Sequence, residues 1–149
     1  MANRDFLDQK DISLIEYLKR NGRAKIGDIS KVTSIPRATV FERISKLTDI
    51  GIVKNFTLNL DYEKMGLPVM AYVMLNYDAE SGVNQNELCE RLSQMDNILG
   101  VSILSGEWDI ILLTVQKSIR DLSTFVLDKL RNIKGIYKTQ TFIVFQTFK

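Results

Sequence analysis

The sequence predicts an α+β chain, an N-terminal winged helix-turn-helix followed by a C-terminal ferredoxin-like βαββαβ sheet. Three observations predict it. Apolar residues recur at helical spacing over residues 8–50, with a break at Ser34-Ile35-Pro36. From Val69 onward, strand-length apolar runs alternate with capped helices in the order strand, helix, strand, strand, helix, strand. The charge also changes sign between the two parts: residues 1–54 hold 11 Lys/Arg against 7 Asp/Glu (net +4), and residues 55–149 hold 9 against 11 (net −2). A basic module that meets polyanions and a second module that does not would give this asymmetry.

The first helix is expected from about Asp8 to Arg20. Asp8 is a suitable N-cap and Asp11, three residues on, completes a capping box. Ile12, Leu14, Ile15 and Leu18 supply the apolar face, and Asn21-Gly22 ends the helix. Ile26, Ile29 and Val32 mark a second helix, and Val40, Ile44 and Leu47 a third. Pro36 suits a helix start and no helix interior, while Gly51 suits the left-handed conformation just beyond a helix end. Two short helices joined by a tight turn place the second of them in the DNA major groove.

The other side of that helix carries fitting chemistry. At about 100° per residue, Thr39, Arg43 and Lys46 cluster together beside the apolar stripe, and Arg37 and Ala38 lie at the N-terminal end that enters a groove. Arg donates two hydrogen bonds to a guanine edge, Thr meets a base or a thymine methyl, and Lys serves phosphates. A solvated helix face also carries such residues. The spacing, the Pro36 start and the Gly51 stop together favour DNA contact by Ser34, Arg37, Ala38, Thr39, Arg43 and Lys46.

Ile52 to Leu60 alternates loosely and is rich in β-branched and aromatic residues, which predicts a strand leaving this module; Asp61 to Pro68, with Gly66, is the expected linker. The expected organisation is therefore residues 1–54 for DNA binding, 55–68 for strand and linker, and 69–149 for the sheet domain. Within the last, Val69–Tyr77 reads as a buried strand. Asn84 or Asn86 caps a helix bearing Leu88, Leu92 and Met95. Ile98–Leu104 and Ile110–Val115 are strands joined by Ser105-Gly106-Glu107-Trp108-Asp109. Ser118 and Asp121 form a second capping box, opening a helix with Leu122, Phe125, Val126, Leu130 and Ile133, and Ile136–Phe148 is the last strand. Two helices cannot cover both faces of such a sheet. Tyr72, Met74, Ile103, Leu112, Phe142 and Phe145 are expected to leave an apolar surface through which the chain forms at least a dimer.

Composition removes several function classes. The 149 residues contain no histidine and a single cysteine, Cys89, so a Ser-His-Asp triad, a Cys-His pair, a Cys-rich zinc site and His-ligated haem are all missing their groups. Cys89, beside Leu88 and Leu92 in a helical pattern, reads as a small hydrophobe, and no internal disulfide is available to it. The eight glycines are scattered and form no phosphate loop. No apolar run reaches the roughly 18 residues of a membrane span, and Met1-Ala2-Asn3-Arg4-Asp5 lacks the apolar core of a signal peptide. A soluble, cytoplasmic chain with no membrane contact, metal, cofactor or catalytic residue is expected.

The run Leu7-Asp8-x-x-Asp11-x-x-Leu14-Ile15-x-x-Leu18-x-x-Asn21-Gly22-Arg23 resembles the opening of Lrp/AsnC ("feast/famine") transcription regulators. Arg43-Ile44-x-x-Leu47-x-x-x-Gly51-Ile52-Val53 resembles their recognition region, and Gly106-Glu107-Trp108-Asp109 their Gly-x-x-Asp turn. The resemblance covers essentially the whole chain. It implies a DNA-binding transcription regulator that dimerises through its sheets, often assembles into octamers, and bends or wraps double-stranded DNA. It also implies a small effector, usually an amino acid, in a cleft between dimers, with Ser105, Gly106, Glu107 and Asp109 at the site and Thr139 or Thr141 nearby. A short polar turn offers backbone N–H groups to a carboxylate and a side-chain carboxylate to an ammonium, although Gly and Asp are also ordinary hairpin-turn residues. Trp108 is suited either to a pocket or to a neighbouring subunit. Pro36 stands where many relatives carry serine, which leaves Ser34 and Thr39 as the nearby hydroxyls.

Two other functions remain open on the sequence. One is an oligomeric protein-interaction module built on the same fold, which the charge asymmetry disfavours. The other is an enzyme, since some haem-pathway decarboxylases resemble this two-domain family; their chemistry is expected to use histidine, which the chain lacks.

Overall fold

A computed structural model describes residues 7–148; Met1–Asp5, read above for targeting signals, lie outside them. The chain divides into two units, Met1–Asn59 and Leu60–Lys149. No helix among the described residues is long and apolar enough to cross a membrane.

The first unit contains α1 (Gln9–Arg20), α2 (Ile26–Thr33) and α3 (Arg37–Asp49). Asp8 caps α1, and the capping box with Asp11 closes in both directions: Asp11 N donates to Asp8 Oδ1 at 2.9 Å and Asp8 N to Asp11 Oδ2 at 3.2 Å. The three helices bury Leu14, Ile29, Ile35 and Val40 against one another. Ser34 ends α2 in the left-handed region, which lets the chain turn within Ser34-Ile35-Pro36. Pro36 sits one residue ahead of the first helical position, at the N-cap. Gly51, at φ +76°, follows the end of α3, and the Gly51 and Val53 N–H groups return to the Thr48 and Leu47 carbonyls.

Ile52–Leu60 forms no strand. Phe56, Leu58 and Leu60 do alternate with polar residues, but a strand exists only where a neighbouring edge takes its N–H and C=O groups. No pairing in the sheet includes this segment, and residues 54–60 are all exposed.

The second unit contains β1 (Val69–Tyr77), α4 (Gln85–Ser93), β2 (Ile98–Ile103), β3 (Ile110–Gln116), α5 (Ile119–Thr124) and β4 (Ile136–Ile143). The sheet order is β2-β3-β1-β4 and every pairing is antiparallel, the ferredoxin-like arrangement. Asn84 caps α4 and Ser118 caps α5, each side chain accepting backbone N–H groups of the first turn. The helix after Ser118 is less regular than its apolar spacing predicts. α5 passes into a π-helical turn, Phe125–Lys129, and a 3-10 turn, Leu130–Asn132, and Ile133 lies beyond both. β4 stops at Ile143 and does not reach Phe148. Val144 N still donates to Met70 O, but the partner strand then runs out at Pro68, which has no N–H.

Register decides the faces. Ala71, Val73 and Leu75 of β1, with Ile110 and Leu112 of β3, pack against Leu88 and Leu92 of α4 and Leu122, Phe125, Val126 and Leu130. Leu112 pairs with Val73 and is fully buried on this side, so it does not belong to the open face. Ile103 pairs with the buried Ile110 and so shares the helix-facing side, and Phe145 lies past the end of β4. The open face is Tyr72 with Leu113 and Phe142, and Met74 with Ile111 and Gln140. Tyr72 and Phe142 remain 42% and 49% exposed there.

Candidate functional site

The start of α3 is the exposed part of the helix-turn-helix. Ser34, Arg37 and Ala38 are exposed and Thr39 is half-buried. The Arg37 guanidinium lies over Gly27, with Nη2 3.4 Å from where a Cβ at that position would stand. Lys46 is exposed two turns further on.

Thr39, Arg43 and Lys46 come together, as their spacing predicts, in a groove of about 380 Å³, but Asp8, Asp11 and Glu42 line it too. Arg43 Nη1 lies 2.7 Å from Asp11 Oδ1 and 2.7 Å from Asp8 Oδ2. Asp11 is 4% exposed, so one carboxylate of the pair is buried. Asp11 and then Asp8 hold the Arg43 guanidinium in its charged form, raising its pKa above the ordinary arginine value. Asp8 in turn is held below the usual carboxylate range, chiefly by the Asp11 N–H and next by Arg43. The arrangement ties the first turn of α1 to the middle of α3. With its charge already met by Asp8 and Asp11, Arg43 is a poor seat for a phosphate.

The outward centre of α3 lies elsewhere. Opposite Val40 and Leu47, at about 100° per residue, stand Ala38, Glu42 and Ser45, with Phe41 on the adjoining flank; all four are exposed. Ala38 is expected at the interface; the spacing alone also places Phe41, Glu42 and Ser45 outward, though none of them is basic.

The polar turn between β2 and β3 is organised from inside. Gly106 takes φ +144°, which an L side chain rarely adopts. Tyr77 N donates to Asp109 Oδ2 at 2.9 Å, and Asn76 Nδ2 donates to Glu107 O at 2.8 Å and to Asp109 Oδ2 at 3.3 Å. Asp109 N donates to Leu75 O and Leu104 N to Asp109 O. The Asp109 carboxylate therefore fastens the turn to the end of β1. Ser105, Gly106 and Glu107 are exposed around it. Thr139 and Thr141 stand on β4 opposite Leu75 and Val73, two strands and roughly 10 Å from the β3 end of the turn. Thr139 Oγ1 accepts from Arg131 Nε at 3.1 Å. The β4 residue that does reach the turn is Lys138, whose Nζ lies 5.1 Å from the Trp108 ring centroid.

This geometry can be set beside known proteins. Residues 70–149 match the Lrp/AsnC ligand binding domain, and residues 7–54 match a winged helix-turn-helix DNA-binding family. The chain belongs to the Lrp/AsnC family. An HTH-type transcriptional regulator of Pyrococcus furiosus is 39% identical over 97% of this chain and 97% of its own length. The HTH-type transcriptional regulator FL11 of Pyrococcus horikoshii is 32% identical, over 96% and 92%. Among solved structures, LrpC of B. subtilis superposes with a TM-score of 0.84 at 24% identity, covering 96% of this chain and 97% of that one. A transcriptional regulator of Neisseria meningitidis, solved as a complex with L-Met, gives 0.85 at 25% identity, over 96% and 92%. This Lrp/AsnC chain is thus a DNA-binding transcriptional regulator, with an N-terminal helix-turn-helix and a C-terminal ligand-binding domain.

Proposed function

We propose that the chain is a sequence-specific regulator that binds double-stranded DNA as a homo-oligomer, without catalysing a reaction, and that an amino acid modulates this binding. The observation that carries the reading is the free N-terminal end of α3, Arg37-Ala38-Thr39, on a helix whose buried face is fixed by Val40 and Leu47. Arg37, Thr39 and Ser34, with Ala38 and the exposed Ser45, face the groove, and Lys46 meets a phosphate. Arg43 is a positioning residue that sets the angle of α3 through Asp8 and Asp11. Association uses the open sheet face, where Tyr72, Leu113 and Phe142 form a contiguous apolar row. The functional division is residues 1–54 for DNA, 55–68 as connection and 69–149 for effector and assembly, acting in the cytoplasm.

The effector reading is supported by the ligand-binding family match and by the L-Met complex of the Neisseria meningitidis relative. Around Ser105, Gly106 and Glu107 the effector meets backbone N–H groups, while Asp109 shapes the turn from behind.

A titration tests the whole. The chain's own upstream DNA and a composition-matched fragment are compared at fixed salt, with and without a mixture of amino acids. Preferential binding that the mixture shifts is expected. Equal, steeply salt-dependent binding to both fragments would leave only the polyelectrolyte attraction and defeat the reading. Lys46→Ala should weaken both fragments alike and lower the salt slope by about 0.9.

A further inference from the structure

A cleft of about 480 Å³ opens in the second unit between the α4–β2 connection and α5, at the opposite end of β3 from the polar turn. Asp109 and Gln116 are seven residues apart along this hairpin, roughly 20 Å.

The inward stripe of β3 changes character as it reaches the cleft. Ile110 and Leu112 are apolar, but the next two inward positions are Thr114 and Gln116, both buried. Thr114 Oγ1 donates to Asn97 O at 2.9 Å and accepts from Gln116 Nε2 at 3.0 Å. Gln116 is only 7% exposed and lines the cleft, yet among the described residues no hydrogen bond reaches its Oε1. That oxygen is not sealed off from solvent, so it stands open to a donor entering the cleft.

Two further features are built around the same space. Asn97 lines the cleft with φ +65°, a left-handed position that turns its carbonyl inward to Thr114 Oγ1 and Val115 N. Phe125 and Lys129, also in the lining, are the two ends of the π-helical turn, a helix irregularity that recurs at functional sites.

The donor set is specific. Asp96 and Asp121 stand against one ammonium, Lys129, while Met95 and Phe125 give an apolar wall. Asp121 Oδ2 accepts from Ser118 Oγ at 2.5 Å, which fixes its carboxylate. We propose that this cleft binds a free zwitterionic amino acid, its ammonium held by Asp96, Asp121 and the Gln116 oxygen, its carboxylate by Lys129, and its side chain against Met95 and Phe125. The volume lies within the about 300–1,000 Å³ of small-molecule sites. The proposal rests on the reading that the second unit takes an amino-acid effector, and adds a site contained within one chain and separate from the turn.

The test is calorimetric titration of the full chain with each of the twenty amino acids. The amino acid that binds is then titrated into Thr124→Trp, which fills the cleft, Lys129→Glu, which reverses its cation, and Ser105→Trp, which blocks the turn. Circular dichroism and size establish that each is folded; Thr124 and Lys129 are both exposed, and either variant alone carries the test. A cleft site additional to the turn predicts two binding events, one weakened about tenfold or more in Thr124→Trp and Lys129→Glu but less than about threefold in Ser105→Trp, and one that responds the other way round. Weakening of every event by Ser105→Trp at least as great as in the cleft variants would overturn the cleft while leaving the effector reading intact. No heat with any amino acid at millimolar concentration would remove both.

Discussion

Arg43 Nη1 stands 2.7 Å from Asp11 Oδ1, so a cation on the DNA-binding helix is held by a buried carboxylate of the helix that begins the domain. Two roles for Arg43 make opposite predictions here. If its charge met a phosphate directly, removing the nearby Asp11 charge would strengthen DNA binding. If the pair sets the position of α3, removing Asp11 weakens it. We expect Asp11→Asn and Arg43→Ala each to weaken specific binding about tenfold, the scale of one well-seated base contact, with the salt slope unchanged. Affinities measured across a salt series check this. Tighter binding by Asp11→Asn, or a salt slope lowered in Arg43→Ala, would return Arg43 to the phosphate.

The same cluster makes the first unit sensitive to acid. Asp8 is held below its ordinary 3.8, mainly by the Asp11 N–H and then by Arg43. A carboxyl whose folded pKa is depressed contributes stability that is fully present above the unfolded value and is lost as pH falls through the folded one. The contribution should therefore begin to fade below 3.8. Asp8→Asn keeps an N-cap oxygen but loses the charge. It should be less stable at neutral pH and show a shallower decline below that value, measured by thermal melts of the full chain in a pH series.

Much of this was legible because it is local. Asp8, Asn84 and Ser118 announce their helices since an N-cap bonds to N–H groups two or three residues away. The succession of strands followed from apolar runs of the right length, and the bounds of α3, which carries most of the candidate DNA residues, from a proline, a glycine and a period. What stayed hidden is non-local. Arg43 meets Asp11 across 32 residues, and no periodicity reports that two helices will cross there. Leu112 and Leu113 are equivalent in a continuous apolar run, and only pairing with β1 assigns one to each face. Ile52–Leu60 has the composition of a strand, but an edge to pair with is not a property of the segment. Gln116 gave no signal because its meaning depends on Asn97 and Phe125 arriving beside it.

Asp109 is expected to act on the turn as a brace. Its Oδ2 accepts the Tyr77 N–H at 2.9 Å in a half-buried setting. Asp109→Ala leaves that N–H without its acceptor and should cost about 1–3 kcal/mol. Asp109→Asn retains an acceptor oxygen and should cost less. Asn76 keeps the Glu107 carbonyl in either variant, so the turn loosens without losing both ties. Urea unfolding with an unchanged m-value would check the order; equal stability of Asp109→Ala and the parent chain would show that the brace carries nothing.

Leu112 and Leu113 should separate folding from assembly. Leu112 is enclosed between Val73 and the helices, so Leu112→Ala leaves a cavity and should cost about 2–5 kcal/mol, lowering the denaturation midpoint. Leu113 lies half-buried in the open row between Gly100 and Tyr72, where an aspartate can stay hydrated in a monomer but cannot enter an apolar interface. Leu113→Asp should therefore leave the helical and sheet signals of the chain in place and reduce its mass by light scattering. A Leu113→Asp chain of unchanged mass would mean that subunits meet somewhere other than the Tyr72–Phe142 face, and an unaltered midpoint in Leu112→Ala would mean that the register between β1 and β3 is wrong by one residue.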